Sequence, residues 1–216
     1  MIIEKNINDS IKIEKNVKKY NSFNYKVNLI LQEKDIENFS EEIKKIVSFQ
    51  KNLFDSLINF DQSLVKTWLN NKNFISELLF RKTRDGSTPD DFHNKCDNKG
   101  KTIIFIETTK GYKFGGYTEM NWDTSNSSKV HDSIFIFSFD NRKKYIAKKI
   151  GAICGNKNYG PWFGNNYPEI VFNSTLDKGR SWDNQIQNIF VSGKELTKGE
   201  EFWEVKELEV FKIEYV

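Results

Sequence analysis

An α+β chain, built as an antiparallel β-sandwich with short helices behind an amphipathic helical region, is what this sequence predicts. Three observations lead there. Residues 1 to about 70 contain neither Gly nor Pro, and all 12 Gly and all 3 Pro lie beyond Arg84. From Ile36 to Trp68, apolar residues recur at spacings of three and four. Beyond Leu78 the chain breaks into short β-branched and aromatic runs separated by Gly, Asn and Asp. A stretch without breakers favours helix, and short runs between turn residues favour an antiparallel sandwich.

The elements follow in order. The first 35 or so residues are polar with scattered apolar side chains and read as a mobile leader to the helix. Next come Ile36, Phe39, Ile43, Ile46, Gln50, Leu53, Leu57, Phe60 and Leu64, the a/d seam of a coiled coil with Gln50 as its polar interruption. Val47, Phe54 and Trp68 widen one flank. Ser40 ahead of Glu41-Glu42 suits an N-cap, and Asn70-Asn71 suits the end. Two fates fit this helix: homo-oligomerisation through residues 36–69, or packing against the domain that follows. The chain thus divides into a helical region, 1–70, and a β domain, 71–216.

Within the second region, Ser87-Thr88-Pro89-Asp90-Asp91 reads as a helix start, carrying Phe92 inward as far as Lys95. Thr102–Ile106 and Ile134–Phe139 are unbroken strand-like runs, as expected of strands covered on both faces. Tyr145–Ala147, Ala152–Cys154, Glu169–Phe172 and Asn188–Val191 are shorter candidates. From Phe202 to Val216 the apolar positions change face between Val210 and Phe211, which predicts a bulge there.

Composition bounds the function. Lys+Arg of 33 against Asp+Glu of 30 gives a net charge of +3 with both signs interspersed, and no basic stripe of the kind a nucleic-acid binder concentrates. No apolar run is long enough to span a bilayer, and the first residues are charged, unlike a signal peptide. Two cysteines, Cys96 and Cys154, give no disulfide framework, so reduced thiols in the cytoplasm are expected.

The chemistry-bearing residues read as structural, with no catalytic, cofactor or metal site expected. Gly111, Gly115 and Gly116 lack the Lys-Ser/Thr that a phosphate loop needs, so they permit a bulge or a close strand approach. His93 and Cys96, with His131 and Cys154, are all the His and Cys in the chain, too few and too scattered for a zinc site. An i,i+3 His-Cys pair on a helix is poorly placed for thiol activation. Glu207 and Glu209 share one strand face and read as its solvated side. Glu107 and Glu119 each close an apolar run, where partial burial and an ion pair with Arg84 are expected, while Asp85-Gly86 favours a tight reversal. Tyr159 to Gly164 forms an aromatic turn that either anchors a partner or covers the core. Glu119 and Trp162 are the candidate partner contacts.

Three successive blocks carry a family resemblance. They are Leu78-Leu79-Phe80-Arg81-Lys82-Thr83-Arg84-Asp85-Gly86, then Phe92-His93-Asn94-Lys95-Cys96-Asp97, then Phe114-Gly115-Gly116-Tyr117-Thr118 ahead of Trp122. Asp97–Gly100, Gly160-Pro161 with Phe163-Gly164, and Val205–Phe211 with Glu207 and Glu209 extend it. Together they resemble the TLDc domain family, the domain of the oxidation-resistance proteins, with Phe80 where many members carry Tyr. The resemblance implies a two-sheet β-sandwich, a protein-binding role and no established reaction. It also implies links to oxidative-stress resistance and to the vacuolar proton pump as partner. Two other readings stand beside it: a coiled-coil scaffold that presents the domain to another protein, and a thiol redox protein centred on Cys96.

Overall fold

The computed structural model of the protein describes residues 56–147, 151–166, 168–182, 190 and 193–216. The chain divides into two compact units, Met1–Lys44 and Lys45–Val216, and every described residue falls in the second. The apolar seam as far as residue 55, with Ser40 as its cap, lies outside the described residues, as does nearly all of the run 188–191.

The described part of the seam is not one helix. Residues 56–61 are non-helical, and α1 spans Gln62–Trp68. The Asp61 carboxylate accepts from Ser63 N at 3.0 Å, satisfying one of the amides that a helix start leaves open. Upstream, a carboxylate of the β domain captures the amide of Leu57, so the backbone there is bonded outside a helix. The helix ends where Asn70 and Asn71 take φ of 58° and 57°, left-handed conformations that Asn tolerates.

Among the described residues eleven strands follow, with short helices between the first few. β1 (Phe74–Arg81) leads into the single helical turn α2 (Lys82–Asp85) and then α3 (Pro89–Cys96). After these come β2 (Thr102–Thr108), β3 (Lys113–Thr118), β4 (Ser127–His131), β5 (Phe135–Ser138) and β6 (Lys143–Ile146). The chain closes with β7 (Gly151–Gly155), β8 (Tyr159–Phe163), β9 (Ile170–Asn173), β10 (Lys178–Arg180), a 3-10 turn at Gly193–Glu195 and β11 (Phe202–Tyr215). The hydrogen-bonded order is β4-β7-β8-β9-β10-β11-β2-β3-β5-β6, with β1 also paired to β11, and the pairings between these strands are antiparallel.

The 14 residues of β11 join the set, because Phe202–Glu204 pair with β10 while later positions pair with β2 and β1. Both its faces are covered. Leu208 and Val210 enter one apolar core with Phe80, Phe92, Ile104, Phe114, Ile136, Phe163 and Phe172. Phe211 and Ile213 enter a second core with Ile58, Val65, Trp68, Phe105 and Phe137. Toward β2 the change of face at Val210-Phe211 is no bulge, since the two residues pair in unbroken register with Ile104 and Ile103; opposite the same two residues it is β1 that carries an extra residue, Leu79. The irregularity in the β2–β11 ladder falls between Val205 and Glu207, and β1 shifts register between Leu78 and Phe80. A strand buried on both sides shows apolar residues at both parities, which mimics a face switch.

The second core explains the fate of the described N-terminal stretch. Ile58, Val65, Trp68 and Leu69 are buried there, Phe60 stacks at 4.8 Å on Phe139, and Trp68 stacks at 4.8 Å on Phe137. Leu57, by contrast, is 63% exposed. Of the described seam residues Phe60 and Leu64 pack against this core, and Trp68 of the flank is buried in it beside Val65.

Three strands carried no clear sequence signal. β4 is polar and largely exposed, β10 has three residues, and β1 reads as two apolar clusters around Ser76-Glu77. The segment Tyr159–Phe163, expected as an aromatic turn, is strand β8; its register shifts between Tyr159 and Trp162, where Gly160-Pro161 interrupts the ladder.

Candidate interaction site and the carboxylates beneath it

Glu207 and Glu209 do not face solvent. They are 4% and 0% exposed. Glu209 accepts from Arg81 Nε at 2.7 Å, from Leu57 N at 3.0 Å and from the Ser56 hydroxyl. Glu207 accepts from Thr83 N at 3.2 Å, the Thr83 hydroxyl and Leu208 N at 3.0 Å. One carboxylate therefore ties the N-terminal stretch and β1 to β11, and the other ties α2 to β11. A buried carboxylate is tolerated when donors surround it, and here each has three named donors. The same-face prediction for these two residues holds; the burial was missed because α2 and residues 56–57 cover that face.

Above them, Arg84 pairs with its neighbour Asp85, Nη2 to Oδ2 at 2.7 Å, and not with Glu107 or Glu119. Asp85 also accepts from Arg81 N at 2.8 Å, and these contacts hold its carboxyl below the ordinary range against the opposing effect of burial. Gly86 ends the turn at φ 123°, where a Cβ would strike the Asp91 carboxylate. Glu107 is buried against Lys206, 3.2 Å away.

Helix α3 begins with a reciprocal capping box between Thr88 and Asp91. Its inner face places Phe92 and Cys96 in the first core and His93 at the core margin. His93 Nδ1 faces Asp97 Oδ1 at 2.7 Å, while Nε2 faces the carbonyls of Asn156 and Tyr159, each at 3.0 Å. With acceptors at both nitrogens the ring is satisfied as imidazolium. Burial opposes the charge, but Asp97 and the two carbonyls together raise the pKa. A folded-state pKa raised above the unfolded value of about 6.5 stabilises fully below that value and is lost as pH rises through the folded pKa. Urea midpoints are expected to fall across that window in the wild type and to stay flat in His93→Gln.

Cys96 is 0% exposed, and burial pushes its thiol well above the usual range. A buried, protonated thiol is a poor nucleophile. Iodoacetamide at pH 8 is expected to label native Cys96 at least about tenfold more slowly than the urea-unfolded chain. Cys154, half-buried and also raised, provides the internal comparison. Among the described residues no group of three or more His, Cys, Asp or Glu is placed to hold a metal ion.

The remaining signature residues build the interior. Trp122 donates to Thr102 Oγ1 at 2.9 Å and meets Phe92 and Phe163 edge-on. Gly100 turns at φ 81° and its amide donates to Asn121 Oδ1 at 2.7 Å; Gly164 turns at φ 113° and donates to Ala152 O at 2.9 Å. Gly160, Pro161 and Phe163 are buried in β8. Gly115 and Gly116 sit in unbroken register between β2 and β5, so no bulge occurs and close approach is their role. A Cβ on Gly116 would lie 2.5 Å from the Phe163 ring.

The two residues expected to contact a partner, Trp162 and Glu119, are partly exposed. Trp162 lies edge-on to Tyr159 at 4.8 Å and donates to Asn165 O at 3.1 Å. Glu119 accepts at 3.0 Å from the buried hydroxyl of Tyr117, which also meets the Tyr215 hydroxyl at 2.8 Å. A groove of about 470 Å³ between Thr108–Lys110 and the β10–β11 pair is lined by Lys178, Glu200, Phe202 and Glu204, without His or Cys.

These features define a class: an antiparallel β domain with short helices, whose buried charged groups are bonded to its own backbone and neighbouring elements. The chain matches the TLDc domain family over residues 49–214 and belongs to that family. A 61-residue stretch is 28% identical to "MTOR-associated protein MEAK7" of Danio rerio. That similarity covers 28% of this chain and 14% of the relative's length. No helix among the described residues is long and apolar enough to cross a membrane.

Proposed function

We propose that this chain is a non-catalytic protein-interaction module of the TLDc type, acting in the cytoplasm, with a subunit of the vacuolar proton pump as its partner and a contribution to oxidative-stress resistance. Residues 71–216 form its sandwich-shaped recognition body, with two strand layers sharing β11. Residues 1–70 are an N-terminal region, of which Ile58–Leu69 packs against the body. The observation that carries the reading is the use of the signature's polar groups. His93, Asp85 and Glu207 each bond to the domain's own backbone and Glu209 to the Leu57 amide of the N-terminal stretch packed on it, which makes a rigid body and leaves its surface for recognition.

A second reading takes the partner from the relative's name, an mTOR-containing assembly, supported by the 61-residue similarity. A third is an oligomeric scaffold formed through residues 36–69. Affinity purification of the full chain under reducing conditions separates the first two. Co-elution of pump subunits is expected, and their absence with an mTOR assembly present overturns the pump assignment. Light scattering on the full chain decides the third, since a monomer at micromolar concentration eliminates the scaffold.

A further inference from the structure

Lys72 and Lys101 place their ammonium groups 4.7 and 5.4 Å from the centre of one ring, that of Tyr215. Three distant segments meet here: the link after α1, the residue before β2, and the end of β11. The backbone fixes the meeting, because Val216 N donates to Asn73 O at 3.1 Å and Ile213 N to Lys101 O at 2.9 Å. The phenol is anchored from within by Tyr117, whose hydroxyl is in turn held by Glu119.

Two like charges over one ring repel each other, and an exposed cation–π contact returns only a modest attraction. Among the described residues neither ammonium has a carboxylate within 4.0 Å. Of the acids nearest in sequence to the two tyrosines, Glu214 pairs with Lys212, and Glu119 accepts from Tyr117 within electrostatic reach of the Tyr215 hydroxyl. An incoming carboxylate would relieve the repulsion and gain two charge-assisted hydrogen bonds beside a ring that excludes water from one side.

We propose that Lys72, Tyr215 and Lys101 form a carboxylate-binding clamp that receives an acidic segment of the partner protein. The proposal rests on the interaction-module reading and names a surface for it. A polypeptide is favoured because the ring gives apolar contact to the methylene stem of a Glu, which a free phosphate lacks.

The test is fluorescence anisotropy of the full chain in low-salt buffer with a fluorescein-labelled Gly-Glu-Glu-Asp-Glu-Gly peptide. Lys72→Ala with Lys101→Ala is expected to weaken binding at least about tenfold. Lys95→Ala with Lys157→Ala makes the same change in net charge at exposed positions and is expected to stay within about twofold. Tyr215→Phe should retain binding, and Lys72→Glu with Lys101→Glu should transfer it to a Lys-rich peptide. Equal losses in the two alanine pairs would reduce the attraction to net charge and overturn the clamp. Tighter capture of phosphatidylserine vesicles, or equal competition by inorganic phosphate, through the same two lysines would overturn the polypeptide assignment. If a co-purified partner binds the Lys72→Glu, Lys101→Glu chain undiminished, the clamp falls while the module reading stands.

Discussion

Glu209→Ala is expected to destabilise the folded chain by about 3 kcal/mol, at the lower end of what removing one partner of a buried ion pair costs. Three donors lose their acceptor at once: Arg81 Nε, Leu57 N and the Ser56 hydroxyl. Arg81 is 15% exposed, so some solvent reaches its guanidinium and the upper end of the range is not reached. The urea midpoint, followed by tryptophan fluorescence, should drop without a change in slope if unfolding stays two-state. Glu209→Gln should lose less, because an amide oxygen still accepts. Combining Glu209→Leu with Arg81→Met should cost less than the two changes summed, since no unpaired charge is left behind. A Glu209→Ala chain within about 1 kcal/mol of wild type would show that the carboxylate does not hold these elements together.

Gly115→Ala is the harsher change. A Cβ there would lie 1.8 Å from the carbonyl oxygen of Ile104 and 2.8 Å from the Phe137 ring. A backbone oxygen in the middle of a β2–β3 ladder cannot rotate away, so β3 must move or unpair. The loss should exceed the roughly 1–3 kcal/mol of ordinary overpacking and prevent folding at 37 °C. Gly116→Val meets a side chain instead, the Phe163 ring, which can shift; a smaller loss of about 1–3 kcal/mol is expected. Circular dichroism melts of the two variants rank them, and a Gly115→Ala chain more stable than Gly116→Val would refute this account of the strand approach.

Much of the β domain was legible because its signals are local. The helix start at Thr88-Pro89, the helix end at Asn70-Asn71 and the runs at Thr102 and Ile134 each announce themselves within a few residues. Elements that owe their form to distant partners were misread or missed. β4 has no alternation to detect because it is exposed, and it becomes a strand only by pairing with β7. Gly160-Pro161 looks like a turn on its own, yet β9 holds it as part of a strand.

The candidate site divides the same way. Residue chemistry indicated that His93 would be a satisfied histidine, and both ring nitrogens indeed have acceptors. It could not place the acceptors, two carbonyls more than 60 residues away. Nor could it show that Glu207 and Glu209 lie under α2 and the Ser56–Leu57 stretch. Likewise, nothing in the separate segments around Lys72, Lys101 and Tyr215 indicates that they converge.

Taken alone, the order of residues determined the family, the mainly β character beyond Leu78 and the shared face of Glu207 and Glu209, because backbone propensity and period-two alternation act over neighbouring positions. Only the tertiary structure decided which face of a strand is covered and which charges end up buried or gathered over a shared ring. Burial depends on what lies across the gap from a residue, and in this chain those partners come from elements far away in sequence.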